Sequence, residues 1–189
     1  FGLCALLLLF SALVDAPLTD IANPGASPNP AKAAWYFMGL QELLLHLHPV
    51  FAIFIVPLLM FLLLAALPFI RQARLEPGLW CGGSRGRWTA ALSFLVGMSG
   101  ASILVVVDEL AFKNNSSTHV LTPWLSRGII PLLVLIFALG LVYRLLRSKN
   151  FPPSQSLMAV VLLCVGMISG LTVIGIWFRG PGMMLGFSF

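Results

Sequence analysis

The chain has 189 residues, 59% of them hydrophobic and 9% charged, with a formal net charge of +5; its mean hydropathy is +1.00. Soluble domains carry about 25% charged residues, so this composition cannot cover a surface in water and identifies an integral membrane protein. The positive charge does not point to nucleic acid, because no basic run interleaves with aromatics as a phosphate-tracking groove requires.

Five apolar segments follow one another at 1–14, 49–70, 88–107, 128–146 and 157–178. Each is a continuous apolar run, which favours helices over the alternating pattern of a membrane barrel. The expected fold is therefore all-α, a polytopic transmembrane helix bundle of about five spans in a single membrane domain over 1–189. The first segment falls short of the about 20 residues that a hydrocarbon core requires. It also lacks a basic flank and a small-residue cleavage site, so it is read as the end of a truncated helix rather than a signal peptide.

Between the first two segments lies "NPGASPNPAKAAWYF", stiffened by Pro24, Pro28 and Pro30. The following "AKAAWYFMGLQELLLHLHP" is dense in helix formers and ends at Pro49. A surface helix is expected over 33–47, separate from the next span, with Trp35, Tyr36 and Phe37 at the membrane interface where aromatic rings prefer to sit. Further along, Gly97, Gly100, Ala101, Gly166 and Gly170 put small residues on helix faces, a pattern for close helix packing.

Charge placement orients the bundle. With 15–48 outside, the inner side carries Arg71, Arg74, Arg85, Arg87, Arg144, Arg147 and Lys149, and the outer side Lys32, Lys113, Arg127 and Arg179. Seven against four obeys the positive-inside rule.

Several chemical candidates carry little. Cys4, Cys81 and Cys164 show no CxxC spacing, which argues against a zinc ribbon, an iron–sulfur cluster or attached haem in this chain. His46 and His48 are two apart and point in different directions on a helix. They are read as interfacial, His119 as solvated, and Asp108 and Glu109 as a solvated helix end. The glycine-rich "CGGSRGR" is an inner loop whose arginines suit anionic headgroups. The spans hold almost no ionisable residue at mid-membrane, which counts against a transporter.

The outer loop adds a family likeness. "ANP" at 22–24, "PNPAKAAWYF" at 28–37 and a span beginning near Pro49 resemble the C-terminal half of cytochrome b, equivalent to subunit IV where cytochrome b is split. The "AKAAWYF…LQELL" stretch and the closing "WFRGPG" at 177–182 are similar to bacterial quinol–cytochrome c complexes. The likeness is closest over 1–70 and rests on hydropathy and order beyond. It implies a non-autonomous subunit of a bacterial inner-membrane complex, with 15–48 on the periplasmic side. That complex oxidises quinol at an outer site, passing one electron to a Rieske iron–sulfur protein and one to haem b.

On that likeness Trp35, Tyr36 and Phe37 would line the quinol pocket. The b haems and the iron–sulfur cluster would sit on partner chains, with a c-type cytochrome as a further partner and lipids around them. The family's Pro-Glu falls on Ala33 and Ala34, so its proton-accepting glutamate is missing from its usual place. Glu42, expected two turns on and near the same helix face, would take over that role if partial burial raised its pKa. The alternative is a structural anchor subunit of another electron-transfer assembly, without quinone turnover of its own.

Overall fold

A computed structural model describes residues 2–13, 25, 32–69, 83–111, 122, 124–180, 183 and 185. Two compact units are found, Phe1–Pro30 and Ala31–Phe189. The first contains α1 (Gly2–Leu13), which has no buried residue. The second contains α2 (Met38–His46), α3 (Val56–Ala66), α4 (Ser84–Ala111), α5 (Ile130–Ser148) and α6 (Pro153–Val173). Among the described residues regular structure is helical, apart from one antiparallel bridge between Arg179 and Leu185.

Among the described residues, three helical stretches are long and apolar enough to cross a membrane: Ser84–Leu110, Leu125–Ser148 and Pro153–Phe178, of 27, 24 and 26 residues. Their exposed faces carry large apolar side chains such as Leu104, Leu133, Phe137 and Trp177. Such a surface belongs in lipid rather than water. The expected bundle of five spans is thus met by three. Gly2–Leu13 and Phe51–Ala66 are shorter apolar helices. The second was expected over 49–70, but its regular part ends where Pro68 stands in a 3-10 turn, Leu67–Phe69.

Helix α6 packs on α4, α2, α5 and α3. The α4–α6 contact brings backbone against backbone. A Cβ on Gly97 would run into the Leu163 carbonyl, one on Gly166 into that of Phe94, and one on Gly170 would lie 2.5 Å from that of Met98. The small residues named from sequence therefore act as close-packing positions, with Ala101 buried beside them. Gly100 is the exception and faces open space. Near one end of this interface Ala101, Val105, Leu171 and Ile174 form a core that Leu43 of α2 joins.

Three π-helical turns interrupt the regular winding: Phe51–Ile55, Leu125–Ile129 and Ile174–Phe178. The first two stand just ahead of Pro57 and Pro131, whose missing N–H and ring crowd the carbonyl four residues earlier. A wider turn relieves that crowding and can leave a carbonyl for an outside donor. His48 N donates to Arg127 O at 2.8 Å, and Lys32 Nζ reaches Ile176 O at 3.3 Å.

Candidate functional site

The segment singled out from sequence divides into an exposed part and a buried part. Ala34 is extended (φ −58°, ψ 148°), so the expected helix over 33–47 starts later. A 3-10 turn, Trp35–Phe37, leads into α2. Gln41 Oε1 accepts from Ala33 N at 2.7 Å and holds the extended lead against the helix. At the other end Leu47 turns extended (φ −111°, ψ 154°). Pro49, two residues on, has no N–H to bond back into α2 and cannot continue it. The break between α2 and the apolar helical segment that follows is therefore present, and α2 is a separate element.

Because Ala34 lies outside α2, the expected two-turn register between it and Glu42 does not hold. The aromatic triplet and Glu42 also part company. Trp35, Tyr36 and Phe37 are 71%, 62% and 53% exposed, whereas Glu42 is 0% exposed. The three rings pack on one another: Trp35 meets Tyr36 edge-on at 5.6 Å between centroids, and Tyr36 meets Phe37 at 4.8 Å.

Helix α2 lies close to α6 because glycines face the contact. A Cβ on Gly39 would come within 2.6 Å of Thr172 Oγ1, and one on Gly175 within 3.1 Å of Met38 Cβ. That approach carries Glu42 to Arg179, which follows the last π turn and is 1% exposed. Arg179 Nε donates to both carboxylate oxygens at 2.9 and 3.2 Å, and Nη2 donates to Oε1 as well. Nη1 donates to the Met183 carbonyl at 2.9 Å and to Glu109 Oε2 at 3.3 Å.

His46, one turn after Glu42 on the same face, completes the network. Its Nδ1 lies 2.5 Å from Asp108 Oδ2 at the end of α4. Its Nε2 lies 3.2 Å from Arg179 Nη2 and 3.5 Å from Glu42 Oε1. A neutral ring carrying its proton on Nδ1 donates to Asp108 and accepts from Arg179. A protonated ring instead turns an N–H toward Glu42.

Burial by itself would push the Glu42 pKa up. Hydrogen bonds from His46 and Arg179, with their positive charges, outweigh it and hold the carboxyl below its ordinary 4.5. The condition set from sequence, a pKa raised by burial, is thus reversed by two partners that sequence did not assign to it, His46 and Arg179. For His46, burial alone would lower the pKa from 6.5, but Glu42 and Asp108 together raise it.

The two histidines do point apart. His48 stacks at 4.7 Å on Trp124 and meets Phe51 edge-on at 6.2 Å, in an aromatic cluster rather than the ionic one. Its Nδ1 is buried with no hydrogen-bond partner among the described residues. In the same region Gly128 leaves room for the Phe51 ring. Among the described residues no group of three or more His, Cys, Asp or Glu side chains could hold a metal ion.

Sequence reasoning missed Arg179, treated as a surface charge, and placed Asp108, Glu109 and His46 at solvated or interfacial positions. One signal was available: Glu42 and His46 stand four apart, so both occupy one face of a short helix. "ANP", Pro28, Pro30, Cys81, Gly82, His119 and the two residues after Gly180 lie outside the described residues, whereas the rest of "CGGSRGR", expected as a loop, enters α4 at Ser84. No protein-family model matches this chain, and no curated protein or solved structure matches it either.

Proposed function

We propose that the chain is a membrane subunit of a cytochrome bc-type quinol:cytochrome c oxidoreductase and helps to wall its outer quinol-oxidation site. The observation that carries this is the Trp35–Tyr36–Phe37 triplet. Three packed rings stand exposed on a tight turn at the head of a surface helix, and that helix is tied to α4 by His46–Asp108 and to the chain just beyond α6 by the buried Glu42–Arg179 pair. Aromatic faces held in this way offer an apolar wall with polar edges, suited to a flat quinol ring at a membrane surface.

In this assignment the electrons pass to haem b and to a Rieske iron–sulfur centre on partner chains, and onward to a c-type cytochrome. The chain itself ligates neither group. Residues 15–48 lie on the periplasmic side of a bacterial inner membrane. Arg85 and Arg87 at the start of α4, with Arg144, Arg147 and Lys149 at the end of α5, face the cytoplasm, in keeping with the positive-inside rule.

The structural-anchor alternative draws on the Glu42–Arg179 pair, because a carboxylate held ionised in a buried bridge is a fastening before it is a base. One experiment separates the two. The tagged chain is purified from its membrane and assayed for bound b haem and for quinol-dependent cytochrome c reduction. Trp35→Ala should raise the quinol KM about tenfold, the equivalent of ~1.4 kcal/mol of lost contact. A complex that reduces cytochrome c with an unchanged KM removes the triplet from the site. Purification without b haem or quinol turnover rejects the quinol:cytochrome c oxidoreductase assignment.

A further inference from the structure

The ionic cluster does more than fasten α2, because its members differ in access to water. Glu42 and Arg179 are fully enclosed, His46 is 15% exposed at its side chain, and Asp108 is 47% exposed. The order Glu42, His46, Asp108 is a continuous line of acceptors and donors from interior to surface, with steps of 3.5 and 2.5 Å.

We propose, resting on the quinol-site assignment above, that His46 is the proton-carrying residue of that site, taking a proton at Nε2 from the buried side and releasing one from Nδ1 through Asp108 to the outer water. The proton leaves a quinol hydroxyl and reaches Nε2 by way of Glu42 Oε1. The imidazolium then gives up its Nδ1 proton to Asp108, which loses it to water. Only O–H and N–H bonds change in this path, and the two electrons go to the one-electron acceptors already named.

Arg179 explains why the proton does not rest on Glu42. Its guanidinium occupies both carboxylate oxygens and favours the ionised form, so Glu42 passes a proton on. Glu109 and the Met183 carbonyl hold the rest of the guanidinium in place. The charged groups around His46 are therefore Glu42 on its own helix, Asp108 on α4 and Arg179 beyond α6, with Glu109 acting through Arg179. Histidine is the side chain whose ordinary pKa allows it to both take and give a proton near neutrality. The two carboxylates move it upward, toward the basic side of that range. The neutral ring is the acceptor, so turnover should rise as pH rises through the His46 pKa.

The test measures quinol-dependent cytochrome c reduction against pH in the assembled complex, at equal haem content. His46→Gln keeps hydrogen-bonding capacity but cannot carry a proton. It should lower kcat about 100-fold, leave KM unchanged and abolish the rising limb of the pH profile. Asp108→Asn removes a carboxylate that raises the His46 pKa, so it should lower kcat less and move the rising limb to lower pH. A purely structural role would change yield or KM and leave the profile where it was.

Wild-type pH profiles in both variants overturn the relay. If His46→Gln fails to assemble, Asp108→Asn at its half-exposed site decides alone, and an unmoved limb overturns the proposal. Wild-type turnover with a Trp35→Ala effect, joined to unmoved profiles, rejects the relay and leaves the quinol site standing. Absence of quinol turnover in the wild-type complex rejects both.

Discussion

Removing the cation from the buried pair tests the central fastening of α2. In Arg179→Met the aliphatic stem keeps much of its volume. Glu42, with no exposed surface, loses the Nε and Nη2 donors of Arg179. The Met183 carbonyl loses its donor and Glu109 loses this one. Breaking a buried ion pair by taking one partner costs about 3–5 kcal/mol, because the remaining charge keeps its desolvation penalty without the counter-ion. Replacing both, as Arg179→Met with Glu42→Leu, should recover most of that loss.

The loss should also depend on pH, and the sign follows from the carboxyl. In the wild type, burial raises the Glu42 pKa while His46 and Arg179 together bring it below 4.5. Its contribution is then complete above 4.5 and fades as pH falls through the depressed native value. Without Arg179, burial is opposed by His46 alone, so the native pKa moves up from its wild-type value. The deficit of Arg179→Met therefore grows as pH rises above 4.5 and shrinks in acid. Hydrogen exchange of the α2 amides in the full chain, in lipid nanodiscs at about pH 5 and pH 8, reads this directly. Wild-type protection in Arg179→Met at the higher pH, or a deficit equal at both, would refute the reasoning.

Three further outcomes are expected. Gly166→Val should destabilise the α4–α6 contact by about 1–3 kcal/mol or more, since its side chain meets the Phe94 backbone; Gly100→Ala, in open space, should stay within about 0.5 kcal/mol, and thermal unfolding of the two variants compares them. Tyr36→Phe should affect quinol oxidation less than Trp35→Ala, because the ring is kept and only a hydroxyl lost; equal losses in a KM measurement would assign the hydroxyl a direct contact. In a background without native cysteines, a cysteine at Lys32 should react with an impermeant reagent added outside intact cells while one at Lys149 should not, and the reverse pattern would invert the orientation.

Local chemistry explains what was legible in the sequence. Few charges and long apolar runs settled the solvent and the helical class, because neither depends on which segments meet. Pro49 marked the break after α2, since a proline lacks the N–H that continues a helix wherever the chain goes. The glycines of α4 and α6 announced close packing, although Gly100 shows that a small residue marks a possible contact and not an actual one. Hydropathy did not settle how far the second apolar segment would continue as one helix, because the π turn beside Pro57 and the 3-10 turn at Pro68 depend on how backbone hydrogen bonds redistribute. The ionic cluster was decided by tertiary structure alone. Glu42 and Arg179 are 137 residues apart, and His46 and Asp108 are 62 apart. His46, Asp108 and Arg179 looked like ordinary groups near a membrane surface, and Glu42 like a partly buried proton acceptor. The burial of Glu42 and the pKa directions of Glu42 and His46 arose only when α2 lay across the ends of α4 and α6, because an electrostatic environment is set by neighbours in space.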